Sequence, residues 1–211
     1  MFNQTDFNNF IIKNKIISLS EKAFTLKSGQ KSHLYINWRD ITNDVALLET
    51  CAHYIIKFCE THTLKPDCFY GVPEGATKIG ILTQYLWSKK QGCSPGSHKL
   101  SMGRVKPKEH GSPSDRFFVG EPEGNIILIE DVTTTGQSML KTLDQLQALN
   151  KKVIACLGLT NRESKQLNKT IANEVADRNT TYIYLSQAKE LLVNITSEKN
   201  SKLIQQELEN L

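Results

Sequence analysis

Apolar positions along the chain follow two spacings, which together predict an order of strands and helices. Short apolar runs are typical of strands buried in a parallel sheet, and they are found within 68–70, 126–129, 151–160 and 182–185; the run at 126–129 is also rich in β-branched residues. Apolar residues at helical spacing predict helices at 5–18, 44–62, 76–88, 139–149, 163–176 and, as one or two helices, 187–211. This alternation favours an α/β fold, with a mostly parallel central sheet and helices on both faces.

Two segments depart from the alternation. Strand-like pieces at 23–26 and 34–37, joined by Ser-Gly-Gln-Lys, predict a hairpin that forms a small hood beside the main sheet. A short strand is predicted at 99–103, and the following segment 103–117 has almost no apolar residues and should be mobile. We therefore expect a single domain over 1–211, with the N-terminal helix and hood within about the first 40 residues.

Composition narrows the class of protein. The net charge of +4 over 211 residues is too small to indicate a nucleic-acid partner, and no apolar run has the length of a membrane span. The five cysteines lack CxxC spacing, and no signal peptide is evident, so we expect reduced core thiols in a cytoplasmic protein. Cys51 and Cys59 share a helical pattern with His53 and His62, but this pattern lacks standard metal-ligand spacing.

The candidate chemistry is concentrated in Asn125–Ser138, which reads NIILIEDVTTTGQS. Glu130 and Asp131 come directly after a buried strand, and a loop rich in threonine then leads into a helix. The hydroxyl and N–H groups of such a loop can hold a phosphate group, while carboxylates suit sugar hydroxyls or a metal ion. The pattern predicts a pocket for a phosphorylated sugar, and the alternative is an ordinary helix-capping turn with solvated acids.

The segment LIEDVTTTGQS resembles the phosphoribosyl-pyrophosphate (PRPP) motif of type I phosphoribosyltransferases. That resemblance implies PRPP binding by the acidic pair and the loop after it: Glu130, Asp131, Val132, Thr133, Thr134, Thr135, Gly136, Gln137 and Ser138. The hood segment FTLKSG, followed by serine and tyrosine, is similar to that of orotate phosphoribosyltransferases. It implies that Lys27 reaches both substrates, and that Tyr35, Ile36 and Thr134 adjoin orotate. A plain surface hairpin is the alternative.

Three further positions gain roles from the same resemblance. The loop at Glu74 and Gly75 follows the first core strand, and the resemblance implies that it binds pyrophosphate largely through its backbone. Many bacterial members carry tyrosine and lysine there, and a carboxylate repels pyrophosphate, so two alternatives are open for Glu74: it points away, or it meets magnesium. Arg162, in the sequence NRES, is expected to bind the orotate carboxylate, with Asn161 in place of the usual aspartate. The alternative for Arg162 is a capping or surface arginine.

The segment RVKPKEHG resembles the catalytic loop of the family, with Arg104, Lys108 and His110 matching its pattern. Val105 stands where a second lysine is usual, and Lys106 is a candidate to replace it. The resemblance implies that these cations close over pyrophosphate, often from the neighbouring subunit of a homodimer. A solvated surface loop is the alternative.

Taken together, the motifs span roughly residues 20–165 and imply magnesium-dependent transfer of ribose 5-phosphate from PRPP to orotate. Lys108, His110, Glu130 and Asp131 are the expected catalytic residues. Mg²⁺ would be held mainly by PRPP near the two acids, with no direct protein ligand. Two alternatives stay open: a transferase for another base, and a non-catalytic regulator that senses PRPP. A dinucleotide-binding protein is disfavoured because no GxGxxG follows a strand.

Overall fold

The computed structural model describes residues 1–25, 29, 31–110, 112–163, 167–195 and 201–211. The elements in chain order are α1 (Gln4–Lys13), β1 (Ile17–Thr25), β2 (Lys31–Ile36), a 3₁₀ turn (Ile41–Asn43), α2 (Val45–Thr61), β3 (Cys68–Gly71), α3 (Thr77–Lys90), β4 (Met102–Gly103), α4 (Pro113–Phe117), β5 (Phe118–Val119), β6 (Asn125–Thr133), α5 (Gln137–Ala148), β7 (Lys152–Asn161), α6 (Ile171–Ala176), β8 (Thr181–Gln187), α7 (Ala188–Asn194) and α8 (Ser201–Asn210).

The central sheet has four strands in the order β3-β6-β7-β8, and every neighbouring pair is parallel. Successive residues of β6 point to opposite faces, as strand geometry requires. Ile127 and Ile129 face a core that includes residues of α1, α2, α3 and α7, whereas Ile126 and Leu128 face a second core built on α5 and α6. The predicted fold class, a mostly parallel sheet with helices on both faces, is confirmed.

The N-terminal helix is shorter than the predicted 5–18 because the chain reverses just after it. Asn14 caps α1, and Lys15 adopts a positive φ of 54°. The turn places Ile17 at the start of β1, which pairs antiparallel with β2 from Ile17 opposite Ile36 to Thr25 opposite Lys31. The hood hairpin is therefore confirmed but longer than predicted.

Two other predicted elements are shorter than expected. The helix predicted at 163–176 begins only at Ile171, because the Thr170 hydroxyl caps it and the Glu163 carboxylate accepts from the Ile171 backbone N–H at 2.6 Å. Of that prediction, 164–166 lie outside the described residues. The strand predicted at 99–103 contains only Met102 and Gly103, which pair with β5.

The C-terminal region folds back onto the hood side of the sheet. Helix α7 buries Leu191 and Leu192, and α8 adds Ile204 to the same core. Helix α8 also contacts the hood strand β2, which places the last turns of the chain beside the hood. Within the described ranges, each helix is too short or too polar to cross a lipid bilayer.

Candidate active site

A cavity of ≈ 350 Å³ opens at the carboxyl ends of β3 and β6, beneath the hood. This is the edge where ligands bind in open α/β sheets. The cavity is lined by hood residues, by the loop after β3 and by the end of β6 with its following turn: Tyr35, Ile36, Asn37, Arg39, Pro73, Glu74, Gly75, Glu130, Asp131, Val132, Thr134, Thr135, Gly136, Gln137 and Ser138. Positions up to about a hundred residues apart in sequence thus form one site.

The acidic pair lies within strand β6, which continues to Thr133 and does not end at residue 129. Glu130 is buried, with 9% exposure, and Asp131 is half-buried. Asp131 Oδ1 accepts from the Val132 backbone N–H at 2.9 Å. Gly75 adjoins the other carboxylate oxygen so closely that a Cβ atom there would lie 2.3 Å from Asp131 Oδ2. The loop after β3 therefore touches the acidic pair directly.

The threonine-rich turn leads into α5, a helix of 12 residues. Gly136 is the residue before α5 and has a φ of +69°, a left-handed conformation that glycine adopts without strain. The first N–H groups of a helix have no partner within the helix and carry a partial positive charge. Together with the nearby hydroxyl groups of Thr134, Thr135 and Ser138, they form a concave set of donors suited to a phosphate group.

Thr133 does not line the cavity, although its neighbours do. Its hydroxyl group contacts the Tyr182 hydroxyl and lies 3.4 Å from Asn161 Oδ1. Tyr182 also donates to Asn161 Oδ1 at 3.2 Å, and burial raises the pKa of Tyr182 above its ordinary value. These contacts fix Thr133, the residue before the cavity-lining part of the turn, to Asn161 of β7 and Tyr182 of β8. No pattern in the sequence points to Tyr182, which lies on β8, well downstream of the motif.

Arg162 follows β7 and is buried, with 6% exposure, between the hood and α8. Its Nη2 donates to Ser32 Oγ at 2.6 Å, and its backbone N–H donates to the Thr133 carbonyl at 2.8 Å. Burial lowers the pKa of the Arg162 guanidinium, and the charge of Glu207 acts in the opposite direction. Arg162 is not among the residues that line the cavity. Its side chain lies directly behind the hood strand.

The predicted catalytic loop begins at the rim of the cavity. Gly103 packs so tightly that a Cβ atom there would lie 2.7 Å from Cγ of Pro73. Arg104 Nε donates to the carbonyl oxygens of Asp115 at 3.1 Å and Phe118 at 3.3 Å, which ties down the base of the loop.

Two of the predicted cations of this loop do not line the cavity. Lys108 and His110 are exposed and do not line it. Lys27 falls outside the described residues.

Three cavity residues had no assigned role from the sequence, namely Asn37, Arg39 and Pro73. Asn37 and Arg39 directly follow the hood strand, so their proximity to the tyrosine of the hood motif was the available signal. Arg39 is exposed and brings a cation to a wall that otherwise carries the carboxylates of Glu74, Glu130 and Asp131.

Comparison with known proteins finds orotate phosphoribosyltransferases among both the curated relatives and the solved structures. No family model matches the chain. The chain is 30% identical over 155 residues to an orotate phosphoribosyltransferase of Bradyrhizobium diazoefficiens, covering 69% of this chain and 77% of the relative. It is 27% identical over 169 residues to one of Thermococcus gammatolerans, covering 80% and 82%. The crystal structure of the Francisella tularensis orotate phosphoribosyltransferase matches with a TM-score of 0.69 and 20% identity, covering 95% and 96% of the two chains.

Proposed function

The chain belongs to the orotate phosphoribosyltransferase family, and on that premise we propose that it transfers ribose 5-phosphate from PRPP to orotate. The products are orotidine 5-monophosphate and pyrophosphate, a step of pyrimidine nucleotide synthesis. The observation that carries this proposal is the single cavity that joins the hood to the acidic pair and the threonine-rich turn. A phosphate site, a site for sugar hydroxyls and a covered site for a planar base are thereby adjacent.

In the proposed complex, the 5-phosphate of PRPP lies at the N-terminus of α5, against Thr134, Thr135 and Ser138. The donors of that turn support this position because they are oriented before the ligand arrives. The ribose hydroxyls lie against Glu130 and Asp131. The same carboxylates stabilise positive charge on the ribose as the bond to pyrophosphate loosens, and such stabilisation is strongest in a site that excludes water.

Orotate is proposed to lie beneath the hood, next to Tyr35, Ile36 and Thr134, all of which line the cavity. Its carboxylate is assigned to Arg162, with Lys27 as a second cation. An arginine suits this task because its planar guanidinium can donate two parallel hydrogen bonds to a carboxylate. The ring nitrogen of orotate, after its proton has passed to solvent, attacks C1 of the ribose. The new N–C1 bond replaces the C1–O bond to pyrophosphate, which departs with the electron pair, and no covalent enzyme intermediate is needed.

Departing pyrophosphate requires cations, and the loop at 103–117 is the proposed source. Arg104, Lys108 and His110 would meet the leaving group when the loop closes over the cavity, with Glu74 and Gly75 beneath it. The contact of Gly103 with Pro73 supports this assignment because it anchors the loop at the cavity rim. Cations that arrive only on closure stabilise charge as it develops.

The side chains around the cavity fit magnesium in the way such enzymes use it. Among the described residues, no group of three or more histidine, cysteine or acidic side chains is arranged to hold a metal ion. Mg²⁺ is commonly bound through substrate phosphates and keeps several waters, so PRPP would hold the ion, with Glu130 and Asp131 near it. When bound with PRPP, the ion would neutralise charge on the phosphate groups.

We also propose that the chain forms a homodimer in the cytoplasm and that loop 103–117 acts across the dimer interface. The family resemblance supports the dimer, and the exposure of Lys108 and His110 outside the cavity is consistent with it. Sedimentation equilibrium measures the mass directly. A monomer at all concentrations would contradict the shared loop.

The decisive experiment follows orotate depletion by ultraviolet absorbance, with purified protein, PRPP and Mg²⁺. Wild type should consume orotate, and Lys108→Ala should be nearly inactive because it loses a charge contact to the leaving group. Lys57→Ala, an exposed lysine on α2, removes the same charge elsewhere and should retain wild-type activity. If orotate persists while calorimetry still detects PRPP binding, the base assignment is wrong, and a regulator or another base specificity is favoured.

A further inference from the structure

Three buried polar side chains from distant parts of the chain meet behind the hood. Arg162 follows β7, Ser32 lies on β2 and Glu207 lies on α8, and their exposures are 6%, 2% and 2%. Ser32 Oγ lies 2.6 Å from Arg162 Nη2 and 2.7 Å from Glu207 Oε2. The other carboxylate oxygen of Glu207 accepts from the His33 backbone N–H at 2.6 Å. Buried charged groups are uncommon unless they are compensated, so this cluster requires an explanation.

The single proton of the Ser32 hydroxyl fixes the direction of each hydrogen bond in the cluster. A guanidinium group only donates, and an ionised carboxylate only accepts. Ser32 therefore donates to Glu207 and accepts from Arg162, and its second lone pair accepts from the Leu34 backbone N–H at 3.0 Å. All hydrogen-bonding positions of the hydroxyl group are thus occupied, and they keep these directions only while the Glu207 carboxylate is in place.

The carboxylate of Glu207 also compensates the positive charge of Arg162. The guanidinium of Arg162 remains cationic in a protein, and burial makes that charge costly. The carboxylate of Glu207 is the charge that acts on Arg162 against this effect. Because both groups are shielded from water, their interaction is screened little by salt.

We propose that Glu207 is a positioning residue, which acts through Ser32 to hold Arg162 in the orientation that receives the orotate carboxylate. This inference rests on the proposed function, which assigns that carboxylate to Arg162. It gives the last helix of the chain a role in substrate affinity. A competing explanation is that Glu207 only attaches α8 to the hood, in which case its effect would be on folding and not on one substrate.

Glu207→Gln separates the two explanations because the side chain keeps its shape. Its amide has one oxygen and one NH₂ group, so it cannot accept from both Ser32 and the His33 N–H. We expect the KM for orotate to rise about tenfold, the effect of losing one hydrogen bond to a charged group, while the KM for PRPP stays unchanged. Ser32→Ala should produce the same selective increase.

Two controls sharpen the test. Glu209→Gln, an exposed position on the same helix, changes the charge equally and should leave both KM values as in wild type. The double variant of Ser32→Ala with Glu207→Gln should raise the KM for orotate no more than the larger single change does. Both changes interrupt the same relay, by which we mean the hydrogen-bonded chain from Glu207 through Ser32 to Arg162. Additive effects in this double-mutant cycle would indicate that the two residues act independently, and would overturn the relay.

The remaining outcomes are equally distinct. A wild-type KM for orotate in Glu207→Gln, or an equal rise for both substrates, overturns the positioning role while the proposed function stands. If Glu207→Gln does not fold, Ser32→Ala alone decides, and a wild-type KM for orotate in that variant rejects the relay. Failure of the wild-type protein to consume orotate refutes the proposed function itself, and the positioning role falls with it.

Discussion

Replacing Gly75 by alanine tests whether the position of the Asp131 carboxylate controls the reaction. A Cβ atom at residue 75 would lie 2.3 Å from Asp131 Oδ2 and 2.8 Å from its Cγ. Ordinary van der Waals contact begins at 3.4 Å, so the oxygen must move by roughly 1 Å. Misplacement of that size can cost on the order of 100-fold in rate, which corresponds to about 2.7 kcal/mol of transition-state stabilisation.

The assay is kcat/KM for PRPP, measured by orotate absorbance, in four proteins that form a double-mutant cycle. Gly75→Ala should lose activity strongly in the wild-type background. In the Asp131→Ala background the Gly75→Ala change should lower kcat/KM little further, because the carboxylate atoms of Asp131 that the new Cβ would meet have been removed. An equal loss in both backgrounds would show that Gly75 acts on the loop and not on Asp131. Wild-type activity in Gly75→Ala would refute the geometric reasoning altogether.

Two further predictions concern reactivity and stability. Cys93 is exposed and the other four cysteines are buried, with the pKa of Cys68 raised by burial to about 11. Near pH 8 the native protein should therefore react rapidly with one equivalent of a thiol reagent, and Cys93→Ser should abolish this rapid phase. The four buried cysteines should react slowly, because a thiol below its raised pKa stays protonated. Tyr182→Phe removes a partly buried hydroxyl group that contacts Thr133, and should lower the free energy of unfolding in urea by about 1–2 kcal/mol. Tyr184→Phe, at a more exposed position on the same strand, should change that free energy by less than about 0.5 kcal/mol. Slow reaction of all thiols, or equal effects of the two tyrosine changes, would contradict the assigned burial and contacts.

Local patterns in the sequence were sufficient for the sheet and for a candidate phosphate-sugar pocket after β6, whereas the hood wall of the cavity was expected only from the family resemblance. A strand buried on both faces must be apolar at consecutive positions, and β6 shows this at 126–129. The functional end of β6 was less predictable, because Glu130, Asp131 and Thr133 are polar and yet remain in the strand. Their polarity indicated a loop, whereas pairing with β7 continues to Thr133 opposite Asn161. Tertiary hydrogen bonding overrode the local signal there.

Contacts between distant segments could not be read from the sequence. Arg162 was predicted from its place after a core strand to bind the orotate carboxylate, and the pattern gave no indication that its side chain would donate to Ser32, which lies 130 positions away. Glu207 lies on a helix that carried no recognisable chemistry, and its burial depends on how α8 packs against the hood. A carboxylate in an amphipathic helix is usually on the solvated face, so only the packed structure identifies this one as buried.

The charge of the cavity gives a physical reason for the proposed catalytic loop. Glu74, Glu130 and Asp131 line it, and Arg39 is the cation among its described lining residues, whereas PRPP is strongly anionic. Lys108 lies five positions after Gly103, a length of chain that reaches at most roughly 17 Å when extended. Since Gly103 is packed at the rim, the lysine can reach the cavity without disturbing the sheet. The carboxylates would then serve the ribose, while magnesium and the loop serve pyrophosphate. Loss of Lys108 should therefore lower kcat far more than it weakens binding of orotate beneath the hood.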